Sequence, residues 1–256
     1  MVSERRPRGS FEILPAIEES FGAKRQYSRL LNQFLRQIAA SYRRSVIPAL
    51  QTHRRFTSDE EAWFIALEAE ADTFEQDVLL GVGGIIASEI QSHTREFVLI
   101  VQQSLSVDLA AVVRNEDLDD FLRDAVSRNA ALIKSLRQDA IKDIRRIIFD
   151  AKISGRGVAA IAREIRDRFN VHASRAQLIA EDQINKLNAD LNRIRQQQAG
   201  VTRYSWRTSR DERVRTLHRS LDNTIYRWGE RTGAEAGLPP GQPVRCRCSA
   251  RAVVTF

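Results

Sequence analysis

Cys246 and Cys248 are the only two cysteines in this 256-residue sequence, and they stand one residue apart in PVRCRCSARAVVTF. A disulfide is a poor use for such a pair. On an extended strand the two side chains share a face, but their Cα separation reaches the upper limit for a bridge. The loop closed would be too short to constrain the unfolded chain much. Two thiolates aimed the same way suit a metal better, and structural zinc takes four nitrogen or sulfur ligands in a tetrahedron. His218, the only histidine after residue 200, supplies a third donor. Asp211 lies seven residues earlier, which on a helix is two turns and one face, although two turns also separate the donors by about 10 Å along the axis. A three-ligand site of His218, Cys246 and Cys248 with water or another fourth group is the rival arrangement. So is a site with no metal, in which the thiols are small buried apolar groups and His218 is hydrogen-bonded.

Arginine is the second chemical signal. All eleven basic residues after position 200 are Arg, whose planar fork pairs carboxylates and phosphates in fixed geometry. Arg210, Arg213, Arg215 and Arg219 cluster beside the donors and are the candidates for contact with DNA phosphates or an acidic partner. Charge is segregated along the chain. Residues 1–60 hold eleven basic and six acidic side chains, 61–136 five and fourteen, 137–200 thirteen and eight, and 201–256 eleven and five. The acidic centre therefore reads as a face for partner proteins.

These groups need elements to hold them. Apolar residues make up 43% of the chain, with only 12 Gly and 6 Pro, which favours long helices. Pro7, Gly9 and Pro15 break any period, so 1–20 reads as a flexible N-terminal tail. Helical spacing runs through Phe21, Leu30, Leu31, Phe34, Leu35, Ile38 and Tyr42, and Pro48 is expected to bend or end that helix. Ser58 and Glu61 form a capping box for the next helix, in which Gly81, Gly83 and Gly84 mark a kink or a close helix contact. A further stripe contains Leu132, Ile133, Leu136, Ile144 and Ile147, with a stop at Gly155 and Gly157. Two more helices are expected, the second capped by Ser174 and stopped at Gly200. After Gly200 the texture alternates. VTRYSWRTS and NTIYRW read as strands, SRDERVRTLHRSL as a short helix with its own box from Ser209 to Glu212, and VRCRCSARAVVTF as a last strand. The expected fold is mainly α: an elongated helical body, 21–200, followed by a small C-terminal α+β module, 201–256. The start lacks the apolar stretch of a secretory signal, and the run at 78–87 is about half a membrane span, so synthesis in a cytoplasm is expected.

Several of these stretches occur in an order that resembles a known family. W-x-T-S-x-D-E-R-V-R-x-x-H at 206–218, PG at 240–241 and CRC at 246–248, with NAALIKSL at 129–136 and GRGVAAIAREI at 155–165, resemble the phage head morphogenesis family, the Mu-F-like minor head proteins of tailed bacteriophages. The resemblance covers about 129–254. It implies a virion component made in the host cytoplasm and placed in the head near the portal vertex. Its partners would be the portal protein, other head proteins and the DNA backbone, and its work assembly, packaging or DNA delivery, without catalysis. Relatives often carry Cys-x-x-Cys where this chain has Arg215 and His218. That implies a structural zinc site of which this chain retains three positions, or its replacement by an Arg215–Asp211 ion pair at (i, i+4) spacing. From the residues alone, a metal-dependent hydrolase or nucleotide-processing enzyme is the alternative, with Asp211 or Glu212 as base beside the metal.

Overall fold

The computed structural model describes residues 7–17, 20–52, 59–107 and 118–256. Four long helices dominate: α1 Phe21–Thr52, α2 Asp59–Leu105, α3 Asp119–Ile153 and α4 Val158–Gln198. The described residues also form a five-residue helix, α5 Thr216–Ser220, a 3-10 helix at Glu235–Gly237, and four short strands. These are β1 Phe11–Ile13, β2 Arg203–Arg207, β3 Ile225–Arg227 and β4 Ser249–Thr255. The chain is thus mainly α with a small α+β module at its carboxy-terminal end. None of the described helices is long and apolar enough to cross a membrane.

Packing divides the chain into two compact units. One comprises 22–85 and 123–180; the other draws on 1–21, 86–122 and 181–256. The units differ from the contiguous segments expected from sequence, because α2 and α4 each contribute to both.

In the first unit α1 buries Tyr27, Leu31, Phe34, Leu35, Ile38, Tyr42 and Val46, at steps of three and four residues. Phe21, assigned to the same stripe, is exposed. Pro48 does not end α1, which continues to Thr52 with Leu50 buried. The missing N–H costs one helical bond, and the apolar stripe on either side holds the turn. Gly81 is a close helix contact rather than a kink: a Cβ there would lie 2.7 Å from Leu30 Cδ2 on α1. The acidic side chains of this unit mostly face arginines. Glu70 pairs with Arg44, Asp72 and Glu75 with Arg137, Glu68 with Arg145, and Asp143 with Arg168.

The two helices expected between 158 and 200 are one. Ser174 is no cap: its Oγ donates to the Asn170 carbonyl at 3.1 Å, one turn back, and the helix runs on. Gly200 does stop α4. With φ +76 it closes a Schellman motif in which its N–H bonds to Gln197 O and the Val201 N–H to Gln196 O. Ser58, the cap of the box expected with Glu61, lies outside the described residues.

In the second unit the strands form one antiparallel sheet in the order β1-β4-β2-β3. The edge strand β1 comes from the segment expected to be a loose tail. It is held by pairing with β4 (Phe11↔Thr255, Ile13↔Val253) and by the Arg251 guanidinium, which donates to Leu14 O at 2.9 Å. Leu14, Ile17 and Ala252 pack with Phe97 and Val101 of α2 in an apolar cluster. A second cluster contains Trp206, Leu221, Ala234, Cys246 and Cys248.

Candidate metal centre

The second cluster is the interior of the carboxy-terminal module. Trp206 enters it from β2, His218 from α5, and the two cysteines from the segment just before β4. That segment is not the expected strand. It is a turn held by the Cys246 N–H to Pro243 O bond, with Arg245 at φ +58. Both cysteines are still buried, while Arg247 between them reaches out to Asp211.

His218 Nδ1 stands 3.5 Å from Cys246 Sγ and 3.6 Å from Cys248 Sγ. With Zn–S at about 2.3 Å and Zn–N at about 2.0–2.1 Å, a tetrahedral ion sets its N···S edges at about 3.6 Å. The three donors are 2%, 3% and 7% exposed for His218, Cys246 and Cys248. Among the described residues they form the one group of three or more such donors.

The surroundings prepare each donor. His218 Nε2 lies 2.6 Å from Glu235 Oε2. The His218 hydrogen bond, with Arg215 assisting, holds the Glu235 carboxyl below the usual range. A carboxylate can only accept, so Nε2 carries the proton and Nδ1 turns its lone pair toward the sulfurs. The hydrogen bond from Cys248 pulls the Cys246 thiol down, helped by the backbone N–H groups of Cys248 and Gly241. The same bond, with burial, pushes Cys248 up. The Trp206 ring packs edge-on against His218 at 5.3 Å.

Asp211 is not part of this group. Residues 209–214 are a turn rather than the first turns of a helix, and α5 begins only at Thr216. Arg210 at φ +57 and the Asp211 Oδ1 bond to the Arg213 N–H at 2.9 Å hold this turn. Asp211 and His218 therefore share no helical face. The Asp211 carboxylate is instead gripped by both arms of Arg247, at 2.7 and 2.6 Å, and lies below the usual range for that reason. The expected Arg215–Asp211 pair is also replaced. Arg215 bonds Glu235 Oε1 at 3.2 Å and Val244 O at 2.7 Å.

Residues 142–251 match the model of the family described as phage Mu protein F like protein. This segment is thus similar to proteins of the phage Mu F type. The match contains every donor of the cluster and ends inside β4; the resemblance read at 129–141 and 252–254 lies beyond it. An uncharacterized protein of Haemophilus influenzae is 27% identical over 234 residues, which is 87% of this chain and 51% of that protein. The chain thus spans about half the length of this relative. No solved structure matches.

Within the Mu F-like segment the four arginines expected to meet a partner are all exposed. Three have partners within the chain. Arg210 faces Asp222 at 3.4 Å, Arg215 faces Glu235, and Arg219 donates to Glu212 O at 3.1 Å. Three contributors were not found from sequence. Glu235 and Arg247 are single charges with no diagnostic spacing. Gly241 belongs to the PG noted above, and its φ of +85 lets the loop press against α4.

Proposed function

We propose that this protein is a minor head protein of a tailed bacteriophage, acting in head morphogenesis near the portal vertex with the portal and other head proteins as partners. The observation that carries this reading is the Mu F-like match through α4 and the module. In this reading the module is a rigid knob that holds one structural zinc through His218, Cys246 and Cys248. Support for the metal lies in the donor chemistry, the two tetrahedral-edge distances and the Glu235-anchored tautomer. A zinc ion there would cross-link α5 to the segment before β4, with its fourth position taken by a group other than Asp211. The chain's own residues then hold the fold. Gln242 donates to Asp190 and the Arg245 N–H to Asp182, tying the module's loop to α4.

The hydrolytic alternative lacks a positioned base. Glu212 is exposed in the turn at 211–214, Asp211 is engaged by Arg247, and the donors are buried. Mass spectrometry of purified phage particles tests the role: the chain is expected in the particle at few copies, and a particle without it would overturn the proposal. Elemental analysis of the purified protein tests the metal. About one zinc per chain is expected, lost in the Cys246→Ser and Cys248→Ser variants.

A further inference from the structure

Within the first unit four carboxylates of the acidic centre, Glu68, Glu70, Asp72 and Glu75, are paired with Arg44, Arg137 and Arg145. The helix α1 presents a run of positive charge. This helix contains Lys24 and Arg25, Arg29, Arg36, Arg43 and Arg44, and no aspartate or glutamate in 32 residues. Arg25, Arg29, Arg36 and Arg43 are exposed, and none has an ion pair or hydrogen bond among the described residues. At about 100° per residue the four fall within an arc of roughly 40°, and at 1.5 Å per residue they extend over about 27 Å. The buried stripe Tyr27, Leu31, Phe34, Ile38 and Tyr42 occupies the opposite side of the helix. The four guanidinium groups therefore form a straight solvent-facing ladder. Between them run small or amide side chains: Ser28, Asn32 and Gln33 line a shallow groove with Arg29 and Arg36, and Ala39 and Ala40 follow.

We propose that this face of α1 is a docking track for the phosphate backbone of double-stranded DNA. A protein partner would call for an apolar patch at the centre of the contact, and between Arg25 and Arg43 the ladder has no exposed large apolar residue; exposed Phe21 stands one turn beyond its end. A uniformly charged linear polymer matches it better. Duplex DNA carries about one charge per 1.7 Å of axis, so about eight phosphates of one strand pass along a 27 Å helix. The arginines fork onto phosphate oxygens and the amides donate between them, without reading base sequence. This inference stands apart from the metal and from particle membership, and it places the phosphate contact on a different unit from Arg210, Arg213, Arg215 and Arg219.

The test is fluorescence anisotropy of a labelled 30-base-pair duplex of mixed sequence, titrated with the full chain at several salt concentrations. Removing four phosphate contacts lowers the slope of log K against log salt by about 3.6. The quadruple variant R25Q/R29Q/R36Q/R43Q is therefore expected to lose most of the binding and of the salt dependence. R210Q/R213Q/R215Q/R219Q retains both. The pairs R25Q/R29Q and R36Q/R43Q each lose about half the slope, which keeps the test open if the quadruple variant misfolds. Replacement by Lys at all four positions keeps most of the slope. A duplex bound equally by wild type and either α1 pair overturns the proposal. So does a chain that ignores DNA yet binds an acidic polypeptide such as poly-glutamate through the same arginines.

Discussion

Gly241→Ala tests how the module is seated on α4. The new Cβ would lie 2.6 Å from Ala189 Cβ and 3.3 Å from Cys248 O, at a residue with φ +85. Neither neighbour is the free end of a flexible chain: one is a methyl on a helix backbone, the other the backbone carbonyl of Cys248. Two costs follow. Holding Ala in the left-handed region costs about 1–2 kcal/mol, and inserting a methyl into a filled contact about 1–3 kcal/mol. The sum is about 2–5 kcal/mol. The costs are separable, because Ala189→Gly removes the methyl the new Cβ meets and leaves the backbone strain. Urea unfolding followed by tryptophan fluorescence, with Trp206 and Trp228 as reporters in the module, should show Gly241→Ala destabilised by that amount. The double variant should recover about 1–3 kcal/mol as a coupling energy. The Gly241 N–H also points to the Cys246 sulfur, so the single variant should bind zinc more weakly. A Gly241→Ala stability within about 0.5 kcal/mol of wild type, the ordinary range for surface changes, would refute the packing argument. Full destabilisation with no rescue by Ala189→Gly would show that steric contact with α4 is not the cause.

Glu235→Gln leaves shape intact but removes the charge that anchors His218 Nε2. Zinc affinity measured by competition with a chromophoric chelator should fall about 10–100-fold, and an unchanged affinity would show that the Glu235 contact is incidental. Buried His93 has its pKa lowered to about 4, chiefly by burial, with Arg195 adding to it. The unfolded chain takes up a proton near pH 6.5 that the folded chain refuses, so stability present above pH 6.5 is lost as pH falls toward 4, by about 3 kcal/mol. Burial lowers His172 as well, so His93→Gln should reduce the slope of unfolding free energy against pH in this window by about one proton rather than abolish it. Equal slopes in the two proteins would rule out the assignment to His93.

The helical stripes, the glycine stop at Gly200 and the grouping of His218, Cys246 and Cys248 could be read from the sequence alone. Each of these is a local property: apolar residues three and four apart, a residue free to take positive φ, and rare side chains repeated within a short span. The meeting of His218, Cys246 and Cys248 was legible because the module has few histidines and cysteines, and these residue types are the ones suited to zinc. Tertiary structure alone decided what stands opposite each charge. Asp211 looked like a ligand by helical spacing, but the turn at 211–214 breaks that face and Arg247, 36 residues away, takes its carboxylate. Glu235 became the partner of His218 through a loop with no periodic signal. In the acidic stretch at 61–136, Glu68, Glu70, Asp72 and Glu75 meet Arg44 of α1 and Arg137 and Arg145 of α3, pairings that charge counting along the chain does not show. Pairing across the fold depends on how elements approach in space. Side-chain charge at long sequence separation has no period along the chain from which that approach can be read.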